Sequence, residues 1–538
     1  MRIPPTDPRI VAGILALVAI GILIGGAFVG LGIEAWRNPE GAYAAFDSYL
    51  FRVARFTIWQ ALLSMLLSVA PAILVARALA RHPAFPGRGL ILRLFAVPLA
   101  LPAIVAALGI LTLYGRAGYF AAPLSALSGG TWPGVYGLSG ILVAHVFFNM
   151  PLATRLLLEA LQTVPSDQWR LASQLGMGAR ASFRLIEWPA MRAALPGIAG
   201  LVFMLCVTSF TIVLTLGGGP AATTLEVAIY QALRFDFDPA RAVALTLLQI
   251  GLTAGIVLTL MRLGANTTGD ANLSVARRSY IVAGPGEKVL NIVVIMAALV
   301  FVGGPMAATV VSGLEADLGR LATEASVHRA TLTSLVFASI SATLACALSL
   351  SLVMARRVLA TTRPDGKGSL LERLTDTGAG FVLVVPPVVV GAGWFVLVRQ
   401  SVDVFALAPF MVVTVNAIMA MPFAVRAIRP AHDAAAERHE WLCAQLGISG
   451  WSRLRLIDWP VLRRPLATAF AFAAALSLGD LGVIALFGSD AVQTLPYLLL
   501  ARMGSYRTAD AAGLALMLGL LCLALMMLAD RLGKETSR

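Results

Sequence analysis

Charge is scarce in this chain. Only 13% of its 538 residues are Asp, Glu, Lys or Arg, 59% are apolar, and the mean hydropathy is +0.84. Water-exposed globular domains carry about 25% charged residues, so a soluble domain is excluded and a membrane protein is indicated. Histidine is scarcer, with five residues and no His-Glu-x-x-His spacing, and no carboxylates cluster within the apolar segments. A membrane enzyme therefore lacks its chemistry, and no metal site is expected. Of the four cysteines, Cys206, Cys346 and Cys522 fall within apolar segments and Cys443 in a polar loop, so no disulfide framework is implied. Nor is there a phosphate-cradling Gly-x4-Gly-Lys-Ser/Thr loop, because neither GPGEK at 284–288 nor DGKGS at 365–369 has that spacing. ATP hydrolysis is excluded from this chain.

What the chain has is long apolar runs. Segments near 10–33, 56–79, 90–114, 136–159, 194–216 and 242–262, then 289–312, 330–355, 378–398, 404–428, 466–488 and 510–531 each approach the roughly 20 residues that a helix needs to cross a bilayer. The first is longer than a signal core and no small-residue cleavage site follows it, so it is kept as a span. With the N-terminus in the cytoplasm, the loops on that side hold 30 of the 41 Lys and Arg, the bias that the positive-inside rule requires. Both termini are then cytoplasmic, and the net charge of +13 belongs to topology rather than to nucleic acid.

The chain also repeats itself. RLASQLGMGARASFRLIEWP at 170–189 returns as WLCAQLGISGWSRLRLIDWP at 441–460, and a shift of 271 also carries Met150, Pro151, Ala153 and Arg155 onto Met421, Pro422, Ala424 and Arg426. Farther out, LPAIVAALG at 101–109 meets VPPVVVGAG at 385–393 at an offset of 284. The sequence therefore predicts an all-α membrane protein of about twelve transmembrane helices, two tandem six-helix repeats of parallel orientation, at 1–263 and 289–538, with a cytoplasmic linker at 264–288.

The repeated loops, 160–193 and 429–465, are too polar for lipid. In the first, Ser166 and Asp167 are candidates to cap a short helix whose apolar stripe is Trp169, Leu171, Ala172 and Leu175, ended by Gly176; in the second, Trp441, Leu442 and Leu446 give the face and Gly447 the stop. Such helices either rest on lipid or dock on a protein, and small residues at Ala172, Ser173, Cys443 and Ala444 favour close approach to a protein.

In each copy Gly is followed ten residues later by Ile and thirteen later by Pro: Gly176, Ile186 and Pro189, then Gly447, Ile457 and Pro460. This spacing resembles the cytoplasmic loop of binding-protein-dependent ABC importer permeases, whose motif opens with Glu-Ala-Ala. Here Arg170-Leu171-Ala172 and Trp441-Leu442-Cys443 stand in its place, leaving no Glu for a salt bridge there. The resemblance implies the type I importer permease fold. It also implies a coupling helix in each loop, carried by Leu171, Ala172, Leu175, Gly176, Ile186 and Pro189 and by Leu442, Cys443, Leu446, Gly447, Ile457 and Pro460. The partners it implies are an ATPase dimer, which binds the ATP and Mg, and a periplasmic binding protein, all at a bacterial inner membrane. No cofactor belongs to this chain.

Two fused halves occur in few importer families. The stretches GILTLYGRAGY at 109–119, LVAHVFFNMP at 142–151, LGGGPAATTLEVAIYQALRFDFDPARA at 216–242, LSLGDLGVIALFGSD at 476–490 and GSYRTADAA at 504–512 are similar to the thiamine permeases, which implies import of thiamine and its phosphate esters. The alternatives are a ferric-iron permease, or a twelve-span secondary transporter, which leaves the repeated loop unexplained. Asp480, in the eleventh segment, is a costly intramembrane carboxylate and the candidate pathway residue for a cation; its counterpart is Ser209. A structural reading, in which Asp480 caps a broken helix, stands beside it. His145, Asn149 and Asn416 read as interhelical hydrogen-bonding residues. Asp236 and Asp238, interleaved with Phe235 and Phe237, form an acidic, aromatic lip that either docks the binding protein or is a solvated loop end.

Overall fold

An apolar run in lipid must satisfy its backbone within itself, and only a helix does so over a single segment. The computed structural model describes residues 7–82, 85–262, 284–361, 370–381, 385–399, 401, 403–448 and 450–534. Most of the linker expected at 264–288 lies outside them. The helices include α1 (Pro8–Arg37), α2 (Ser48–Arg81), α3 (Ala103–Tyr114), α4 (Leu138–Gln162), α5 (Ser166–Gln174), α6 (Trp188–Val207), α7 (Leu225–Arg234) and α8 (Pro239–Arg262). They continue as α9 (Pro285–Glu315), α10 (Ala325–Thr361), α11 (Pro387–Val398), α12 (Ala408–Leu446), α13 (Trp459–Gly479), α14 (Leu495–Gly504) and α15 (Thr508–Lys534).

Among the described residues ten helices are long and apolar enough to cross a membrane. The difference from twelve lies in the third span of each half. The segment near 90–114 is not continuous: Arg88–Ala100 and α3 meet at an angle of 112°. Pro102 precedes α3, and Pro386 likewise precedes the 12-residue α11. Proline cannot donate to the turn before it, and it forces its predecessor out of helical geometry; Leu101 is extended at ψ 129°. The offset of 284 thus sets Pro102 on Pro386, each just before a 12-residue apolar helix.

The chain forms two compact units that do not follow chain order. One comprises Met1–Phe46, Ile229–Leu247 and Asp317–Arg538; the other comprises Asp47–Ala228 and Leu248–Ala316. In the first unit α1 packs on α10 and α11. Gly26 lies against the Trp394 ring, and Gly30 and Gly393 let the α1 and α11 backbones meet, the close approach that small residues permit between helices in lipid. Trp394 Nε1 donates to the Leu23 carbonyl at 2.7 Å, and Arg399 pairs with Glu34 at 2.9 Å. In the second unit α9 packs on α2 and α3, with Gly109 against Pro305 and Thr309. Each repeat has therefore given its first helix to the unit built mainly from the other.

Polar side chains tie spans together as expected. His145 is hydrogen-bonded to Ser64 at 2.8 Å, joining α4 to α2, and Asn149 donates to Cys206 Sγ at 3.3 Å, joining α4 to α6. Asn416 donates to Ser477 at 3.0 Å between α12 and α13. The duplication shows in a matched pair: Leu225 N–H donates to Thr57 Oγ1 at 3.0 Å, and Leu495 N–H to Ser334 Oγ at 2.8 Å.

Candidate functional site

The first repeated loop is a helix braced on its own chain. α5 begins at Ser166 with Pro165 at its cap and no side-chain capping bond, so Ser166 opens the helix rather than capping it. Trp169 and Ala172 turn inward and form a small core with Val164 and Ile186. Gly176 adopts φ 61° and closes the helix, a left-handed conformation that costs glycine nothing. The stripe expected from the sequence is thereby split. Leu171 and Leu175, one turn apart, stand 56% and 68% exposed, and Leu185 joins them at 64%.

The second loop reaches the same surface by another route. Its helix is the end of the 39-residue α12, closed by Gly447 at φ 64°. Cys443 is buried like Ala172, whereas Leu442, Leu446 and Leu456 are 48%, 63% and 63% exposed. Each loop therefore offers three leucines at matched positions. Leu185 and Leu456 escaped the sequence reading because they lie beyond the Gly. Ala172, Cys443 and Ile186 support the helix from behind, Ile457 is half-buried, and Pro189 and Pro460 are exposed in the first turn of the returning helix. The small residues Ala172 and Cys443 thus serve packing within the chain.

Both loops return through one π-helical turn, Phe183–Glu187 and Leu454–Asp458, a rare element that recurs at functional positions. The acid ending it is buried and paired. Glu187 meets Arg77 at 2.9 Å and Arg81 at 2.7 Å, and both arginines also hold Glu287, in the first turn of α9. Arg77 lies over the Phe183 ring at 5.1 Å, and Arg81 donates to the Ala179 carbonyl. Three elements are thereby joined at one cluster. In the other loop Asp458 faces Arg453 at 3.7 Å, a looser arrangement. Sequence spacing gave no signal for this clamp, because its partners lie 106 and 110 residues away.

Helices α6 and α13 both break at the position the repeat matches. α6 ends at Val207, with Ser209 half-buried in the break, and α13 ends at Gly479, followed by Asp480. Asp480 Oδ1 accepts from Gly482 N–H at 3.3 Å, at the start of the helix Gly482–Phe487, while Oδ2 is enclosed without a partner. The capping role is realised, and one oxygen remains for another ligand. A buried carboxylate that no sequence signal singled out, Glu226 in the first turn of α7, also has an oxygen without a partner; burial pushes it up to about 8. No group of three His, Cys, Asp or Glu among the described residues is placed to hold a metal.

At the far end of α7, Asp236 is exposed and Asp238 caps α8 by accepting from Arg241 N–H at 3.0 Å. Between them Phe237 takes φ 52°, and Tyr506, before α15, takes φ 60°; they are the non-glycine residues with positive φ among those described. Such backbone costs on the order of 1 kcal/mol or more and persists only where its surroundings fix it.

Known proteins match this chain over nearly its whole length. The family described as binding-protein-dependent transport system inner membrane component matches twice, at residues 71–265 and 347–538. The thiamine transport system permease protein ThiP of Brucella abortus (strain 2308) is 60% identical over 528 residues, which are 98% of this chain and 96% of that protein. The protein of the same name from Escherichia coli (strain K12) is 42% identical over 99% of this chain and 98% of its own, and that of Haemophilus influenzae 38% over 96% and 95%. With its two matched loops and a family match in each half, the chain belongs to the family of binding-protein-dependent transport system inner membrane components.

Proposed function

We propose that this chain is the membrane-spanning permease subunit of an ATP-driven importer for thiamine, and for its phosphate esters. The observation that carries the solute is identity of 60% over nearly the whole length of a protein named as a thiamine transport permease; a ferric-iron permease has no comparable support. The chain performs no hydrolysis itself. Leu171, Leu175 and Leu185 in one loop, and Leu442, Leu446 and Leu456 in the other, enter grooves of two ATPase subunits, which bind ATP and Mg. The clamp of Arg77 and Arg81 on Glu187 and Glu287 conveys loop movement to α2 and α9. Each unit carries one broken helix, at Ser209 in one and at Asp480 in the other, and unwound backbone and half-helix ends are what meet solutes in transporters generally. Asp480 offers its free oxygen to the cationic ring of thiamine. Both termini lie in the cytoplasm, and the turns at Asp236 and Asp238 face a periplasmic binding protein.

The test is uptake of radiolabelled thiamine by cells lacking their own importer, with this chain, its ATPase and its binding protein co-expressed and each omitted in turn. Uptake that requires all three supports the reading. Uptake by this chain alone would make it a secondary transporter, and iron uptake without thiamine uptake would reassign the solute.

A further inference from the structure

The two loops present matching leucines but join the membrane differently. In the first, α4 stops at Gln162 and α5 starts at Ser166, and Pro165 between them is extended at ψ 142°. Proline has no N–H to continue a helix, and it disfavours helical geometry at the residue before it. At the offset of 271 that relates the loops, Ala436 stands in the place of Pro165, and α12 runs through it from Ala408 to Leu446. Its 39 residues make a rod of about 58 Å, roughly twice the thickness of the hydrocarbon core. The exposed Leu442 and Leu446 therefore ride on the same helix as Asn416, which is hydrogen-bonded to α13. Pro430 interrupts the helical bonding on the way, and just beyond it Arg356 of α10 holds both oxygens of Asp433, at 2.7 and 2.6 Å.

The buried acids that end the π-helical turns differ in the same sense. Glu187 is tied outward, to Arg77 and Arg81 of α2, and those arginines reach Glu287 of α9. Asp458, its counterpart, faces Arg453 within its own loop. Ser182 stands in the place of Arg453 in the first loop and donates to the Gly178 carbonyl at 3.0 Å.

We infer that the two loops pass ATPase movement into the membrane through different parts: the second through α12 as a continuous lever, the first through the clamp onto α2 and α9, with Pro165 as a joint that leaves α4 out of the path. The proposal rests on the importer reading above and makes Ala436 and Pro165 positioning residues for coupling. A partner that shifts Leu442 and Leu446 moves α12 with them, because bending a helix sharply requires a break in its backbone bonds. A partner that shifts Leu171 and Leu175 meets no such bar between α5 and α4. Its load passes through Ile186, packed on Trp169 and Ala172, to Glu187 and the arginines. Two identical subunits could not divide the work in this way; one chain with unequal halves can.

The experiment uses the full chain with its ATPase in nanodiscs. Spin labels carried on p-acetylphenylalanine at positions 426 and 445 lie about 28 Å apart along α12, and a second pair at positions 152 and 174 straddles Pro165. Between nucleotide-free and ATP-trapped complexes, the α12 pair is expected to keep its separation within about 1 Å and the pair across Pro165 to shift by more than about 2 Å. A change in α12 as large as that across Pro165 overturns the lever, and no change across Pro165 overturns the joint. In parallel, Ala436→Pro breaks the rod and is expected to cut the thiamine moved per ATP hydrolysed at least about tenfold, while Ala436→Ser and Pro165→Ala stay within about twofold. An unchanged ratio in Ala436→Pro refutes the lever, and an equal loss in Pro165→Ala refutes the division between the loops. Should Ala436→Pro fail to assemble, the distances decide, since they are read on helices without an introduced proline. If the unaltered complex moves no thiamine, the solute reading fails and the distances alone judge the lever.

Discussion

The leucine triplets allow a quantitative test of the coupling surface. Fully burying a leucine contributes about 1.5–3 kcal/mol, and Leu171, Leu175 and Leu185 are 56%, 68% and 64% exposed, so a partner that covers them gains roughly 1–2 kcal/mol from each. Alanine retains part of that surface. Each Leu→Ala change should therefore weaken ATPase association by about 1 kcal/mol, and the triple change by about 3 kcal/mol, roughly a hundredfold. The assay is titration of the purified ATPase subunit against the protein in nanodiscs, with thermal unfolding alongside. Because all three side chains lie outside the core, Tm should stay within about 1 °C. Trp169→Ala provides the contrast, since it empties the core beneath α5 and should lower both affinity and stability. A triple variant that binds ATPase with unaltered affinity would refute docking and leave these leucines as lipid contacts.

Three further outcomes follow from the geometry. Arg81→Ala leaves Glu187 and Glu287 short of a partner in a buried cluster, where such a loss costs about 3 kcal/mol. Its Tm should fall by roughly 6 °C and by at least twice as much as that of Arg453→Ala, whose pair with Asp458 is longer at 3.7 Å; equal falls would show that the clamp is no tighter than its counterpart. Asp480→Asn keeps an acceptor for Gly482 N–H, so Tm should hold while thiamine uptake drops at least about tenfold with loss of the charge. Normal uptake would reduce Asp480 to a helix cap. Glu226 binds a proton on folding, since burial raises it from 4.5 to about 8. Its contribution is intact below pH 4.5 and is lost as pH climbs towards 8. Glu226→Gln should therefore gain a few degrees in Tm over the parent at pH 8.5 and none near pH 4.5; parallel pH profiles would contradict this.

The repeat was legible because Gly, Trp and Pro mark helix ends in sequence, and Gly176 and Gly447 do close their helices. Interior polarity was legible too, since His145, Asn149 and Asn416 are conspicuous within apolar runs. The faces of the loop helix were not. Trp169 and Leu171 both read as apolar, and only the packing of Ile186 from beyond the turn decides which one points inward. The third span misled for a local reason: hydropathy averages across Pro102 and Pro386, while the backbone breaks there. The Glu187 clamp depends on residues brought together by the fold, so no window of sequence contained it.

The exchange of first helices has a consequence for synthesis. About 290 residues separate Arg37, the end of α1, from Ala325, where the helix it packs against begins. At roughly 5–20 residues per second, α1 waits on the order of 15–60 s in the bilayer before its seat exists. Its composition suits that interval: α1 is the most apolar of the spans, at mean hydropathy 2.7, and its one acid, Glu34, lies near its end. Severing the chain in the linker would thus produce two fragments, each carrying the helix that completes the other, and neither half would close without its sibling.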